Sequence, residues 1–104
     1  MEIPDYKHRR GQVVMHLTDS QRLITEECND ILEMLLDKNR KYGDSALNPS
    51  RIFSAASPLE QINVRIDDKL SRIASAQSDD NEDVDLDLIG YLILRRIARR
   101  LHAD

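Results

Sequence analysis

Residues 86–94, with the sequence LDLIGYLIL, form an apolar run that carries a single charge, at Asp87. A run of this composition predicts a buried element of the fold. A carboxylate inside such an element is costly unless a cation or several hydrogen-bond donors compensate it. Asp83 precedes Asp87 by one helical turn and would share its face if the run is helical. The group that compensates Asp87 is therefore central to any prediction of function.

The composition predicts a small all-α domain. A chain of 104 residues is long enough for one domain with a modest core. Hydrophobic residues make up 40% and charged residues 33%, which is typical of a folded protein rather than a disordered one. Without Trp and with one Phe, the core must be aliphatic, and the low content of Gly and Pro favours helices over a sheet sandwich.

Capping signals and apolar spacing predict the first helix. Thr18 and Gln21 stand at the spacing of a capping box, in which each side chain binds a backbone N–H of the other residue. Apolar residues then recur at spacings of three and four up to about Lys41, which is the period of one helical face. Gly43 follows and is expected to end the helix with a left-handed conformation. The sequence thus divides into an N-terminal arm, 1–17, and a single helical domain, 18–104.

Two further helices follow from signals of the same kind. Ser57 and Pro58 fit the cap and the first position of a helix that fades near Ala76, and Glu60 would complete a second capping box. The third helix is expected over about 83–101, so it contains the apolar run.

The segment between the first two helices, 45–56, is predicted to be a loop because it is rich in Ser, Ala and Asn and contains Pro49. Ile52 and Phe53 are its large apolar residues, and we expect them to pack against the core. Three long helices predict a three-helix bundle, which dimerisation could complete to a larger bundle.

The net charge and the cysteine content indicate which binding partners and which cellular compartment to expect. The net charge of −4 gives no general attraction to nucleic acid or anionic membranes. Basic residues are nevertheless concentrated at 7–10 and 95–100, so a nucleic-acid or protein partner at these basic termini stays open beside simple stabilisation of a helix C-terminus. No apolar run is long enough to span a membrane, and no signal peptide is visible. With Cys28 as the single cysteine, these features predict a cytoplasmic protein.

Carboxylates on two predicted helices are candidates for a metal site. Asp83 and Asp87 share a face of the third helix, Glu27 borders the apolar stripe of the first, and Asp30 is its neighbour. Oxygen ligands suit Mg²⁺ or Mn²⁺, whereas one cysteine and three dispersed histidines do not suit zinc. The alternative is structural, with Asp83 at the helix N-terminus and Asp87 in an ion pair with an arginine.

The second helix offers the complementary charge. Lys69 falls on the apolar face of that helix, and Arg65 and Arg72 flank it. Lysine on such a face can extend its ammonium to water along apolar surface. Three cations facing embedded carboxylates can also form a phosphate site or an ion-pair site.

Three segments, at 38–45, 65–72 and 82–91, resemble in order and spacing the nucleotide-modification-associated domain of phage and bacterial proteins. They match its KNxxYGDS turn, its KLxR helix and its EDxxxDLxxY helix, and the likeness covers about 27–97. The resemblance implies an all-α nucleotide-binding protein of phage nucleotide metabolism, located in the host cytoplasm. The residues it places beside the nucleotide are Lys38, Asn39, Tyr42 and Asp44, and those it places on phosphate are Arg65, Lys69 and Arg72.

That family is distantly similar to the all-α nucleoside triphosphate pyrophosphatases of the MazG and dimeric dUTPase kind. Those enzymes bind Mg²⁺ through an EExxE helix and an ExxD helix, and they hydrolyse the α–β phosphate bond. Residues 26–30 correspond to the first motif and Asp87 to the last acid of the second. Val84 stands where the second motif has its first acid, and Asp83 lies on the same face.

The resemblance therefore implies a homodimeric, Mg-dependent pyrophosphohydrolase-like protein with Glu27, Asp30, Asp83 and Asp87 at the metal. The alternative is a non-enzymatic helical phage protein, such as an inhibitor or a regulatory dimer.

Overall fold

The computed structural model of the chain describes residues 16–75 and 82–102. Three helices make up its regular structure: α1 (Asp19–Tyr42), α2 (Pro58–Ala74) and α3 (Val84–Leu101). The described ranges contain no strand, so the predicted all-α fold is confirmed. No helix in them is both long enough and apolar enough to cross a membrane. Several residues lie outside the described ranges: the basic group 7–10, most of the predicted arm, and residues 76–81 between α2 and α3.

The predicted capping box starts α1. The Gln21 N–H donates to Thr18 Oγ1 at 3.1 Å, and the Thr18 N–H donates to Gln21 Oε1 at 3.0 Å. Gly43 ends the helix with φ 61° and ψ −155°. Its positive φ agrees with the prediction, but its ψ lies outside the left-handed helical region. A side chain would be strained at this φ, so glycine is required at this turn.

The starts of α2 and α3 are set by local caps as well. The Glu60 N–H donates to Ser57 Oγ at 3.1 Å, which is one of the two bonds of the predicted capping box, and Pro58 occupies the first turn. Asp83 caps α3, accepting a bond from the Leu86 N–H at 2.9 Å. This cap satisfies a backbone donor that the helix leaves free.

The core lies between α2 and α3. Its buried apolar side chains are Ile62, Ile66 and Ala98, which are 2%, 9% and 0% exposed. Five partly buried residues surround them: Leu47, Leu59, Leu88, Tyr91 and Leu94. The contact of α3 with α2 is more extensive than its contact with α1. The apolar run therefore packs mainly on α2, and α1 is attached to this pair along part of its length.

α1 lies close to α3 at Gly90. A Cβ atom built on Gly90 would lie 3.1 Å from Met34 Cε and 3.3 Å from Leu35 Cδ2. The absence of a side chain at Gly90 thus permits this spacing of the two helices. No residue of α1 is buried.

Two expectations about burial are wrong. Ile52 is 79% and Phe53 100% exposed, and Leu47 packs on the core from the loop instead. The apolar run is half-buried rather than buried, since Ile89 and Leu92 remain 40% and 43% exposed. The physical reason is that, among the residues that the structure describes, α3 packs against α2 and α1, whereas a fully buried helix is enclosed on all sides.

Candidate functional site

A pocket of about 250 Å³ lies between the C-terminal half of α1, the turn that follows it and the middle of α3. We call it the α1–α3 pocket. Its lining residues are Met34, Leu35, Lys38, Asn39, Tyr42, Gly43, Asp44, Ser45, Ala46, Asp87, Gly90, Tyr91 and Leu94. Most of the KNxxYGDS turn therefore faces the same space as Asp87 and Tyr91.

Asp44 organises the turn that closes one side of the pocket. Its Oδ1 accepts from Asn39 Nδ2 at 3.1 Å, and its Oδ2 accepts from Asn48 Nδ2 at 2.5 Å. Its backbone carbonyl also accepts from the Asn48 N–H at 2.7 Å. Both carboxylate oxygens are thus engaged by amide groups, so Asp44 positions the turn and Asn39 within it.

A salt-bridge cluster adjoins the pocket and contains Asp87. Lys69 Nζ lies 2.5 Å from Glu82 Oε1 and 3.3 Å from Asp87 Oδ2. Lys38 Nζ lies 3.4 Å from the other oxygen of Asp87, and Arg72 pairs with Glu82. We refer to these five residues as the salt-bridge cluster. Cations from α1 and α2 therefore compensate the carboxylate inside the apolar run.

The inner part of the cluster is shielded from water. The side chains of Lys69, Glu82 and Asp87 are 11%, 16% and 21% exposed. Charge pairs at such positions interact more strongly than exposed pairs, because less solvent screens them. The hydrogen bond to Glu82 raises the pKa of Lys69; burial opposes this effect and the interaction with Asp87 adds to it. Lys69 is therefore a charged structural residue at neutral pH.

The structure does not bring the four predicted metal ligands together. Glu27 is exposed, and Asp30 lies on an outer surface of α1 beside Glu33 and Asp37. The Asp83 side chain caps α3 by accepting a hydrogen bond from a backbone N–H, and Asp87 belongs to the salt-bridge cluster. Within 16–75 and 82–102, no three His, Cys, Asp or Glu side chains are placed to hold a metal ion.

The predicted Mg²⁺ or Mn²⁺ ligand set is thus not assembled in this structure, and the metal stays a prediction.

The residues predicted to bind nucleotide fall into two groups. Lys38, Asn39, Tyr42 and Asp44 all line the α1–α3 pocket. Arg65 lies in an adjoining hollow that shares Ser45, Ala46 and Tyr91 with the pocket. Lys69 pairs with Glu82 and Asp87, whereas Arg72 pairs with Glu82 and Asp68. Neither cation is among the residues that line the pocket.

Two residues of the site were not singled out from the sequence. Glu82 belongs to a polar stretch that predicts a solvated connection, and only its place in the EDxxxDLxxY segment suggested a role. Tyr91 follows Asp87 by four positions and so shares its face of α3, a spacing that could have predicted its place in the pocket.

The fold and the site of the described residues define an all-α, three-helix protein with a pocket that is lined by apolar and polar side chains, two tyrosines among them, and that borders a salt-bridge cluster. Compared with known proteins, the chain matches no family model, no curated protein and no solved structure. The resemblance to nucleotide-modification-associated domains therefore stays a prediction.

Proposed function

We propose that the α1–α3 pocket binds a nucleotide. The observation that carries this proposal is the grouping of Tyr42, Tyr91, Asn39 and Lys38 around one space. A tyrosine ring can stack on a nucleobase, and an amide can bind the polar edge of the base. An ammonium can pair with phosphate as a point charge. One pocket thus offers a group for each part of a nucleotide.

Lys38 is suited to meet a phosphate because it is only loosely held. Its side chain is 52% exposed and its Nζ lies 3.4 Å from Asp87. If Lys38 turned toward a ligand, Asp87 would keep Lys69 at 3.3 Å as a counter-ion. The exchange would leave no unpaired charge in the partly buried region, which keeps its free-energy cost low.

The size of the pocket indicates how a nucleotide would lie in it. At about 250 Å³, the pocket is slightly smaller than typical ligand sites of roughly 300–1,000 Å³. The space suits the base and sugar, with the phosphates at its rim. Arg65 is exposed in the adjoining hollow and offers a second cation in that direction.

The test is calorimetric titration of the folded protein with nucleosides, nucleoside monophosphates and nucleoside triphosphates, with and without Mg²⁺ or Mn²⁺. We expect Lys38→Met to weaken binding of the phosphorylated ligands roughly ten-fold, or about 1.4 kcal/mol, and to leave nucleoside binding unchanged. Tyr42→Ala should weaken both, because Tyr42 is 68% exposed and its loss removes a stacking surface without disturbing the core.

Lys41→Met is the matched control. Lys41 also lies on α1 with an exposed side chain, but it pairs with Asp37 and is not among the residues that line the pocket. Equal losses in Lys38→Met and Lys41→Met would contradict the proposed site, and so would the absence of binding by folded wild-type protein. Pyrophosphate release from triphosphates, measured in parallel, tests the Mg-dependent hydrolysis that the resemblance implies.

One observation favours the alternative, a non-enzymatic interaction protein. Ile52 and Phe53 present adjacent apolar side chains to solvent, and Phe53 is completely exposed. Exposed large apolar groups of this kind are typical of protein contact sites. If no nucleotide binds, this alternative becomes the better-supported function.

A further inference from the structure

α1 carries an apolar row that the described chain leaves uncovered. Ile24, Cys28, Leu32 and Leu36 follow one another at intervals of four residues and so form a continuous ridge. Ile24 and Leu36 are 62% and 50% exposed, Cys28 is exposed and Leu32 is half-buried. This α1 ridge lies beside the face that contacts α3 and opposite the acidic face of the helix.

The N-terminal half of α1 extends beyond its packing partners. Within 19–30 every residue is exposed except Thr25, which is half-buried, and half-buried side chains become frequent only from Ile31 onward. A helical segment of about twelve residues is marginal in water without tertiary packing. A partner that covers the ridge would therefore stabilise a segment that the other residues of 16–75 and 82–102 leave largely unpacked.

We infer that the α1 ridge pairs with the α1 ridge of a second copy of this chain, antiparallel, with Ile24 facing Leu36 and Cys28 facing Leu32. The four positions are symmetric about residue 30, so a two-fold axis there brings the ridges into register with themselves. Rows spaced by four residues also interdigitate well with rows of the same kind. This inference is independent of the proposed nucleotide binding.

The chemistry of the positions around the ridge fits a second copy. Thr25 and Asn29 border it on the side away from α3, and neither carries a charge that pairing would have to desolvate. The Thr25 hydroxyl already donates to the carbonyl of Gln21 at 2.8 Å, so its burial leaves no donor unsatisfied.

Charge distribution selects the antiparallel direction. Residues 19–30 contain four acids and one arginine, whereas residues 31–42 contain two acids and three basic residues. Antiparallel pairing sets the acidic half of one helix level with the basic half of the other, and it opposes the two helix dipoles. Parallel pairing would set the two acidic halves side by side.

The first test is sedimentation of the full chain over a concentration series. We expect a species of twice the 12.0 kDa chain mass, and we expect Ile24→Lys to raise its dissociation constant at least about ten-fold. Val64→Lys is the matched control, because Val64 on α2 is 63% exposed, close to the 62% of Ile24. Circular dichroism verifies that both variants are folded.

The second test is disulfide formation under mild oxidation. Leu32→Cys should give covalent dimers through Cys28 of one copy and the new thiol of the other, more efficiently than Val64→Cys. A monomer at every concentration, as expected if residues 1–15 or a different protein cover the ridge, would overturn the inference. A dimer unaffected by Ile24→Lys would do the same, and so would equal cross-linking of the two cysteine variants.

Discussion

Lys69 of α2 forms ion pairs with residues at the N-terminal end of α3. Its ammonium contacts both Glu82, just before α3, and Asp87, one turn inside it. Because Lys69 is only 9% exposed, an unpaired state would leave a charge without water or counter-ion. The pairs are therefore needed for the fold, whatever ligand the neighbouring pocket binds.

Glu82→Gln tests this role at the scale of one residue. The change keeps the shape of the side chain but removes the charge that pairs with Lys69 and Arg72. We expect the free energy of unfolding to fall by about 1–3 kcal/mol, the range for losing a hydrogen bond to a charged group. Urea denaturation followed by circular dichroism measures the change.

The control is Glu26→Gln, since Glu26 pairs with Arg22 on the surface with a side chain 57% exposed. Exposed pairs of this kind contribute only about 0–1 kcal/mol. Similar losses of unfolding free energy in the two variants would show that the salt-bridge cluster stabilises the fold no more than an exposed ion pair does.

Alkaline pH should weaken the same contact. The pKa of Lys69 is raised in the folded protein, chiefly by its hydrogen bond to Glu82. The folded state therefore keeps its proton when an unfolded lysine, with a pKa of about 10.4, has begun to lose its own. The stability contributed by Lys69 is complete below that pH and is lost as pH rises through the higher folded pKa.

The measurement is the free energy of unfolding of wild type minus that of Glu82→Gln, followed upward from about pH 9, below the unfolded lysine pKa. The difference should shrink with increasing pH, while other alkaline titrations largely cancel between the two proteins. A difference that stays constant across the range contradicts this assignment.

Among the elements, the α1–α3 contact depends on Gly90. Met34 and Leu35 of α1 reach the space where a side chain of residue 90 would stand. The lack of a Cβ at Gly90 lets these two side chains approach α3 closely without having to shift. The same approach sets the width of the α1–α3 pocket, which Gly90 lines.

A graded series at Gly90 tests the helix contact. Gly90→Ala should change the free energy of unfolding by less than about 1 kcal/mol, because alanine has a higher helix propensity than glycine and the flexible end of Met34 can move. Gly90→Val should destabilise by about 1–3 kcal/mol through overpacking and should weaken binding in the pocket. Chemical denaturation and ligand titration of both variants provide the measurement. Equal effects of Ala and Val would show that α1 is not held at this position.

On the scale of the whole molecule, packing is uneven. The three buried side chains of the apolar core come from α2 and α3, and α1 contributes none. The pocket lies at the junction of the well-packed pair with α1, where a ligand would contact both parts. If the α1 ridge also binds a second copy, each α1 would connect the core of its own chain to its partner.

Prediction from the sequence succeeded where the deciding interactions are local. The capping box of Thr18 and the cap at Ser57 involve bonds across three residues, so their spacing in the chain is sufficient to identify them. Phe53 was misplaced because its exposure depends on which elements surround the loop, and no local pattern contains that information.

The sequence by itself thus determined an all-α chain, the bounds of its three helices and the carboxylate of Asp87 within an apolar run. Only the tertiary structure decided what compensates that carboxylate. Lys38 is 49 residues away along the chain, and Lys69 lies on another helix. Contacts of this kind depend on how the helices pack. The helical period predicts which face of its own helix a residue occupies, but it does not predict which face of another helix that residue contacts.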